Sequence, residues 1–322
     1  MKKAFTLFLC LFFVGLCAIS PSLLLRGIHK NTYTLWAQER QARYTGDLVL
    51  WHIVSFKTGG ESGVSYLKAR IRAFEQQNPY VFVELRALSV PEAREAIAAG
   101  EFPDLVSFPL GFFADASALC PLPANSSLLR PFRQVGRSGG KVYAYPYMAD
   151  FYTLSANPDA FFAGDTPLSL ETEWSAPALS EWTQALLSAG TFSASLSRPA
   201  GSFPEAALFC TRNGALAEES RSFWQSTPAG ASAFWAGEVP LLLSPAAEIK
   251  RAESQSTVLS PQVYGFSDYT DLCQLIGVRA GMDAPKEAIC QEFAAALLSR
   301  TAQRALASLY LLPTTAQEDL YA

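Results

Sequence analysis

Asp47-Leu-Val-Leu-Trp-His-Ile-Val-Ser55 is a continuous apolar run of β-favouring residues, the pattern of a strand buried on both faces of a parallel sheet. A turn follows at Phe56-Lys-Thr-Gly-Gly60, and Ser62 is placed to cap a helix. Val64, Leu67, Ile71 and Phe74 recur at helical spacing while Lys68, Arg70, Arg72 and Glu75 face away, and Asn78-Pro79 stops the helix. Residues 80–88 alternate as a strand does, residues 91–99 form a short helix opening on proline, and Asp104-Leu-Val-Ser-Phe108 is a third short strand. Right-handed crossovers turn this β-α-β-α-β series into a parallel sheet with the first strand between the second and third. Ligands of open α/β sheets bind beyond the carboxyl ends of strands where the connections change direction. The loops at 55–61 and 109–115 therefore line the expected site and supply Phe56, Glu61 and Phe112 as candidate contacts.

Downstream, Gly139-Gly-Lys-Val-Tyr-Ala-Tyr-Pro-Tyr-Met148 is a glycine turn leading into an aromatic extended segment, with Asp150-Phe-Tyr-Thr-Leu after it; together they suit a crossing between two lobes. Glu181-Trp-Thr-Gln-Ala-Leu-Leu reads as helix, and residues 190–232 have too weak a period to order. Phe234-Trp-Ala-Gly-Glu-Val-Pro-Leu-Leu-Leu243 is a turn into a strand, residues 272–278 another strand, and residues 287–310 a pair of amphipathic helices.

Bulk properties narrow the class. Half of the 322 residues are apolar and only 17% are charged, which excludes disorder and coiled coil and leaves a globular chain of about two domains. Lys2 and Lys3 precede an uncharged apolar run at 4–25, followed by Arg26 and Lys30, which is an export signal. Its 22 residues suffice to span a ~30 Å hydrocarbon layer. Cleavage after Ala18-Ile-Ser20 would put Pro21 next to the cut, and Leu16 is a poor neighbour for lipidation of Cys17, so a retained membrane anchor at 1–30 with a stalk at 31–45 is expected. Four of the 25 basic residues and none of the 29 acidic ones fall before residue 31, which leaves 21 − 29 = −8 on the exported part and excludes nucleic acid as a partner. Cys120, Cys210, Cys273 and Cys290 lie in the exported part; buried free thiols and a single disulfide both fit them, and their spacing matches no zinc pattern.

Four features in order resemble one known family, the extracellular solute-binding proteins of bacterial uptake transporters, in the sugar-binding group that includes maltose-binding protein. They are the strand carrying Trp51-His52 with its glycine-rich turn, the helix ending Phe74-Glu-Gln-Gln-Asn-Pro79, the approach Gly100-Glu-Phe-Pro-Asp-Leu-Val106, and Gly139-Gly-Lys-Val-Tyr-Ala-Tyr-Pro146. Phe234-Trp-Ala-Gly-Glu238 is similar to a later family element in which lysine takes the place of Glu238. The resemblance implies an α/β fold of two lobes joined by hinge strands, each lobe a mostly parallel sheet flanked by helices, closing on a ligand. The expected division is 46–148 plus about 258–300 for one lobe and 149–257 plus about 301–322 for the other.

A sugar site needs flat apolar faces and a few fixed polar partners. Tyr147, which follows Pro146 at the crossing, leads the candidates, with Tyr152, Trp235 and Tyr269 as further aromatic faces and Asp150 and Asp268 as hydroxyl acceptors. A glycoside hydrolase would need two convergent carboxylates, and nothing in the surroundings of Glu61 or Asp150 singles out an acid. Phosphate-loop and His-Glu-x-x-His patterns are absent from the sequence. The expectation is a monomeric receptor, not an enzyme, that uses no cofactor or metal and serves a membrane permease or sensor partner.

Overall fold

The computed structural model describes residues 44–54, 58, 60, 62–157, 192–194, 234–238, 241–254, 259–266 and 272–316. The expected anchor and most of the stalk lie outside them, and among the described residues no helix is long and apolar enough to cross a membrane. Residues 46–322 form one compact unit.

Strand β1 (Gly46–Val54) is followed by α1 (Gly63–Gln77), β2 (Val81–Ser89), α2 (Val90–Ala98) and β3 (Leu105–Pro109), the predicted series. A small hairpin, β4 (Arg137–Ser138) and β5 (Lys141–Val142), precedes β6 (Ala144–Ala149). Then come β7 (Tyr152–Ala156), β8 (Phe192–Ala194), β9 (Leu241–Pro245), α3 (Ala246–Ser254), β10 (Gln262–Phe266), β11 (Cys273–Val278), α4 (Ala284–Ala296) and α5 (Arg300–Arg304). A 3-10 turn at Ala305–Leu309 ends the helical part.

The first sheet runs β2-β1-β3-β11-β6, with β1 parallel to both β2 and β3, as the crossover rule requires. Strand β11 is antiparallel to β3 and to β6, so it enters where the others leave. The second sheet runs β10-β7-β9-β8; its β8 and β9 are parallel, while β7 is antiparallel to β9 and to β10. Antiparallel pairs arise there because β7 and β10 are the strands that carry the chain out of and back into the first sheet.

Local chemistry accounts for these elements. Ser62 Oγ accepts from the Ser65 N–H at 3.1 Å to start α1. Ser89 and Glu92 form a reciprocal capping box that starts α2. Tyr66, Leu67, Ile71 and Phe74 make the buried stripe of α1, and Phe74 meets Phe293 of α4 edge-to-face at 5.1 Å. On the opposite face, Ile53, Val106 and Phe108 join Ala93 of α2 and the segment carrying Leu110, Phe112, Leu119 and Phe132 in one core cluster. The result is three layers, each buried apolar side chain contributing roughly 1.5–3 kcal/mol. The free edge of β2 is guarded: Glu75 Oε1 accepts from the Val83 N–H at 2.9 Å and Glu92 Oε2 from the Ser89 N–H at 2.7 Å.

The division expected within 258–322 differs from the one observed. Strand β10 belongs to the second sheet, where it completes the ladder of β7. The described end of the chain packs on the first sheet instead: Leu312 N–H donates to Ala149 O and Thr314 Oγ1 to Pro146 O, both at 2.8 Å, covering the otherwise open edge of β6. Cys120, Cys273 and Cys290 are buried, Cys120 and Cys290 as free thiols, and burial pushes the Cys290 thiol up to about 12; Cys210 lies outside the described residues.

Candidate binding site

The carboxyl ends of β1, β3 and β6 and the start of β11 share one edge of the first sheet, since Gln274 stands opposite Pro109 and Cys273 opposite Ala149. The chain leaves this edge at Ala149 for β7 and returns to it from β10 at Cys273. Asp150 ties the two crossings together. Its N–H donates to Leu272 O at 2.8 Å, and its carboxylate accepts from the Phe151 N–H at 2.8 Å and the Ala247 N–H at 3.2 Å. Phe151 O accepts from the Ala246 N–H at 2.8 Å, so both residues engage the first turn of α3. Asp150 is fully buried; desolvation raises its carboxyl to about 7, opposed by the two N–H donors and reinforced by Glu248. The residue expected to receive ligand hydroxyls is thus a joint in the frame of the site, turned toward the helix N-terminus that favours its charge.

Beneath the edge, a chain of buried polar groups crosses β1, β3, β6 and β11. Gln274 Nε2 donates to Ile53 O and to Ser107 Oγ, both at 3.0 Å. Ser107 Oγ lies 2.9 Å from His52 Nδ1 and 2.8 Å from the Tyr147 hydroxyl. Burial depresses His52 to about 4, so the ring is neutral, and burial raises the Tyr147 phenol above its ordinary range. The arrangement that gives both hydroxyl protons an acceptor runs Tyr147 O–H to Ser107 and Ser107 O–H to His52 Nδ1, with the imidazole proton on Nε2. That Nε2 sits 3.0 Å from where a Cβ on Gly63 would fall, which accounts for glycine at the start of α1. Ser107 and His52 do not form a nucleophile pair: Ser107 is fully buried and its oxygen is engaged by three side chains.

Tyr147 is placed differently from the expectation. It is the extra residue at a register shift between β6 and β11, where Pro146 pairs with Leu275 and Met148 with Gln274. The bulge turns its ring under the sheet, stacked 6.4 Å from Tyr66, with no exposed surface. Gln303 Nε2 holds its carbonyl at 2.8 Å. Phe112 is also core, edge-to-face with Phe113 at 4.8 Å, because the chain after β3 folds its aromatics back onto Phe108. Trp235 is half-buried against Phe234, and it precedes the end of β9 at Leu241 that pairs with Ala156, away from the crossings. Tyr152 is described by its backbone only, opening β7 at the crossing. Phe56, Glu61, Asp268 and Tyr269 lie outside the described residues.

The sequence reading missed the Ser107–Gln274 pair. Its signal was present: polar residues that interrupt apolar strands at 52, 107 and 274 must find partners from neighbouring strands.

Solved structures share this architecture. An ABC substrate-binding protein from Listeria monocytogenes, in complex with cycloalternan, aligns with a TM-score of 0.56 at 14% identity over 86% of this chain and 81% of that one. The GacH receptor of Streptomyces glaucescens, known with acarbose, aligns at 0.53 and 18% identity over 85% and 81%. The fold is that of the two-lobed extracellular solute-binding proteins. Iron-bound HitA from Pseudomonas aeruginosa aligns comparably, at 0.55 and 18% identity over 85% and 89%, so the solute-binding fold spans more than one ligand class. No protein-family model matches the chain, and no curated protein matches it in sequence.

Proposed function

We propose that this chain is an exported receptor that captures a small polar ligand, a carbohydrate, at the carboxyl edge of its first sheet and delivers it to an ABC-type membrane permease. The observation that carries the reading is the double crossing at that edge: two strands tied through Asp150 join the sheets beside the ends of β1 and β3, where open α/β sheets bind ligand. Sugars are favoured as the ligand class because fold relatives were solved with cycloalternan and acarbose. Phe56 and Glu61, which follow β1, and Asp268 and Tyr269, which precede β11, are the proposed contacts, with Tyr152 at the crossing. Tyr147, Phe112 and Asp150 support the site from within.

The protein acts at the outer face of the membrane, held by the apolar run at 4–25, and binds without turning its ligand over. An anchored sensor of the same fold is the alternative that the retained run favours. A thermal-shift and calorimetric screen of the full-length protein in detergent, against mono- and oligosaccharides, amino acids, polyamines and ferric iron, tests the ligand class. Saturable stabilisation by a sugar is expected; stabilisation by iron or an amino acid alone would replace the carbohydrate reading. Chromogenic glycosides incubated with the protein should release no product.

A further inference from the structure

Among the described residues Tyr310 is the one non-glycine residue with positive φ, at φ 58° and ψ 30°. It closes the 3-10 turn Ala305–Leu309, a position where glycine or asparagine relieves the clash between Cβ and backbone. A bulky aromatic there is strained, and burial does not compensate, because Tyr310 is 41% exposed. Its neighbours are held firmly: Leu309 and Leu311 are buried on either side, and the Tyr310 N–H donates to Ala307 O at 3.1 Å.

Its position is specific. Two residues earlier, the Ser308 carbonyl lies so close to Gly60 that a side chain there would collide with it, which places the turn against Gly60, just before the start of α1. Two residues later, Leu312 donates to Ala149 at the end of β6. Tyr310 therefore stands between Gly60, which precedes α1, and Ala149, which ends β6, beside the carboxyl edge that is the proposed site. The geometry points to Tyr310 as an aromatic contact of that site, a ring fixed in a strained backbone so that its face meets the apolar face of a sugar. This rests on the carbohydrate reading and adds a residue to it. Stability alone would select glycine at this turn; an exposed ring at the binding edge gives a reason to keep tyrosine.

Wild type, Tyr310→Gly and Tyr310→Phe are compared at full length, by melting temperature without sugar and by calorimetric titration with maltotriose, chitotriose and mannotriose. Tyr310→Gly should melt at the wild-type temperature or a few degrees above it, yet bind the sugar that wild type prefers more than tenfold more weakly. Tyr310→Phe should stay within about threefold of wild type. Unchanged affinity in Tyr310→Gly overturns the inference and leaves the carbohydrate reading standing. A lowered melting temperature in that variant also overturns it, since the ring would then be structural. Wild type that binds none of these three and no other sugar of the wider screen removes the carbohydrate reading and the inference with it.

Discussion

His52 and Asp150 are both buried near the carboxyl edge, and burial shifts them in opposite senses, to about 4 and about 7. The consequences for stability oppose each other. Above pH 6.5 His52 is neutral in both folded and unfolded chains; as pH falls below 6.5 the unfolded chain takes a proton that the folded one refuses, so stability is lost down to about pH 4. At about 1.4 kcal/mol per unit, this slope is worth roughly 3 kcal/mol across the window. Asp150 is protonated in both states below its ordinary 3.8; as pH rises the unfolded chain ionises first, and stability is lost up to about pH 7. Between pH 4.5 and 6.5 the two slopes largely cancel in the wild type. Asp150→Asn, which keeps an acceptor for the Ala247 N–H, should melt at lower temperature as the solution is acidified across that range. His52→Asn, which keeps an acceptor for Ser107, should melt at higher temperature over the same steps. Melting curves at half-unit intervals check this, and slopes of one sign in both variants would refute the burial assignments. Neither role was legible in sequence, because the partners of Asp150 lie 97 and 122 residues away and those of His52 come from a strand 55 residues on.

At the level of elements, the hairpin before β6 shows which glycines matter. Gly136 has φ +76°, and a Cβ there would run into the carbonyl of Ala144, whose N–H in turn donates to Gly136 O at 3.2 Å. Gly139 has φ +54° with open space around it. Gly139→Ala should therefore cost only the left-handed backbone penalty, about 1–2 kcal/mol. Gly136→Ala bears the same penalty and must also displace backbone, so it should lose more, with the difference read from urea midpoints. Equal losses would mean that β6 yields freely at its start. Elements of this kind were largely readable from sequence: β1, α1, β2, α2 and β3 emerged from local periodicity and caps alone, because their signals sit within a few residues. The C-terminal turn was assigned to the wrong sheet for the converse reason. Gln303, Leu312 and Thr314 are positioned by bonds to Tyr147, Ala149 and Pro146, 156 to 168 residues earlier, and periodicity carries no record of such pairs.

For the whole molecule, the joint between the sheets decides what ligand can do. The chain crosses at 149–152 and again before Cys273, and a third strand, β9, ends at the same place in the α3 turn that Asp150 and Phe151 cap. Three strand ends meeting at one buried carboxylate form a compact pivot, and a rotation there needs changes at only a few backbone angles. A ligand that touches both sheets stabilises whichever arrangement brings its two sets of contacts together, and it shifts the population by its differential affinity for that arrangement. Sugar binding should therefore compact the protein. Small-angle scattering on the full-length protein in a contrast-matched detergent should show a radius of gyration that falls by an ångström or more at saturation and returns on dialysis. Asp150→Ala, which frees the start of α3 from the crossing, should blunt that change and weaken binding while leaving the β1 and β3 edge intact. Curves that superimpose with and without a sugar shown by calorimetry to be bound would mean that ligand sits on the first sheet alone, and the second sheet would then need another role.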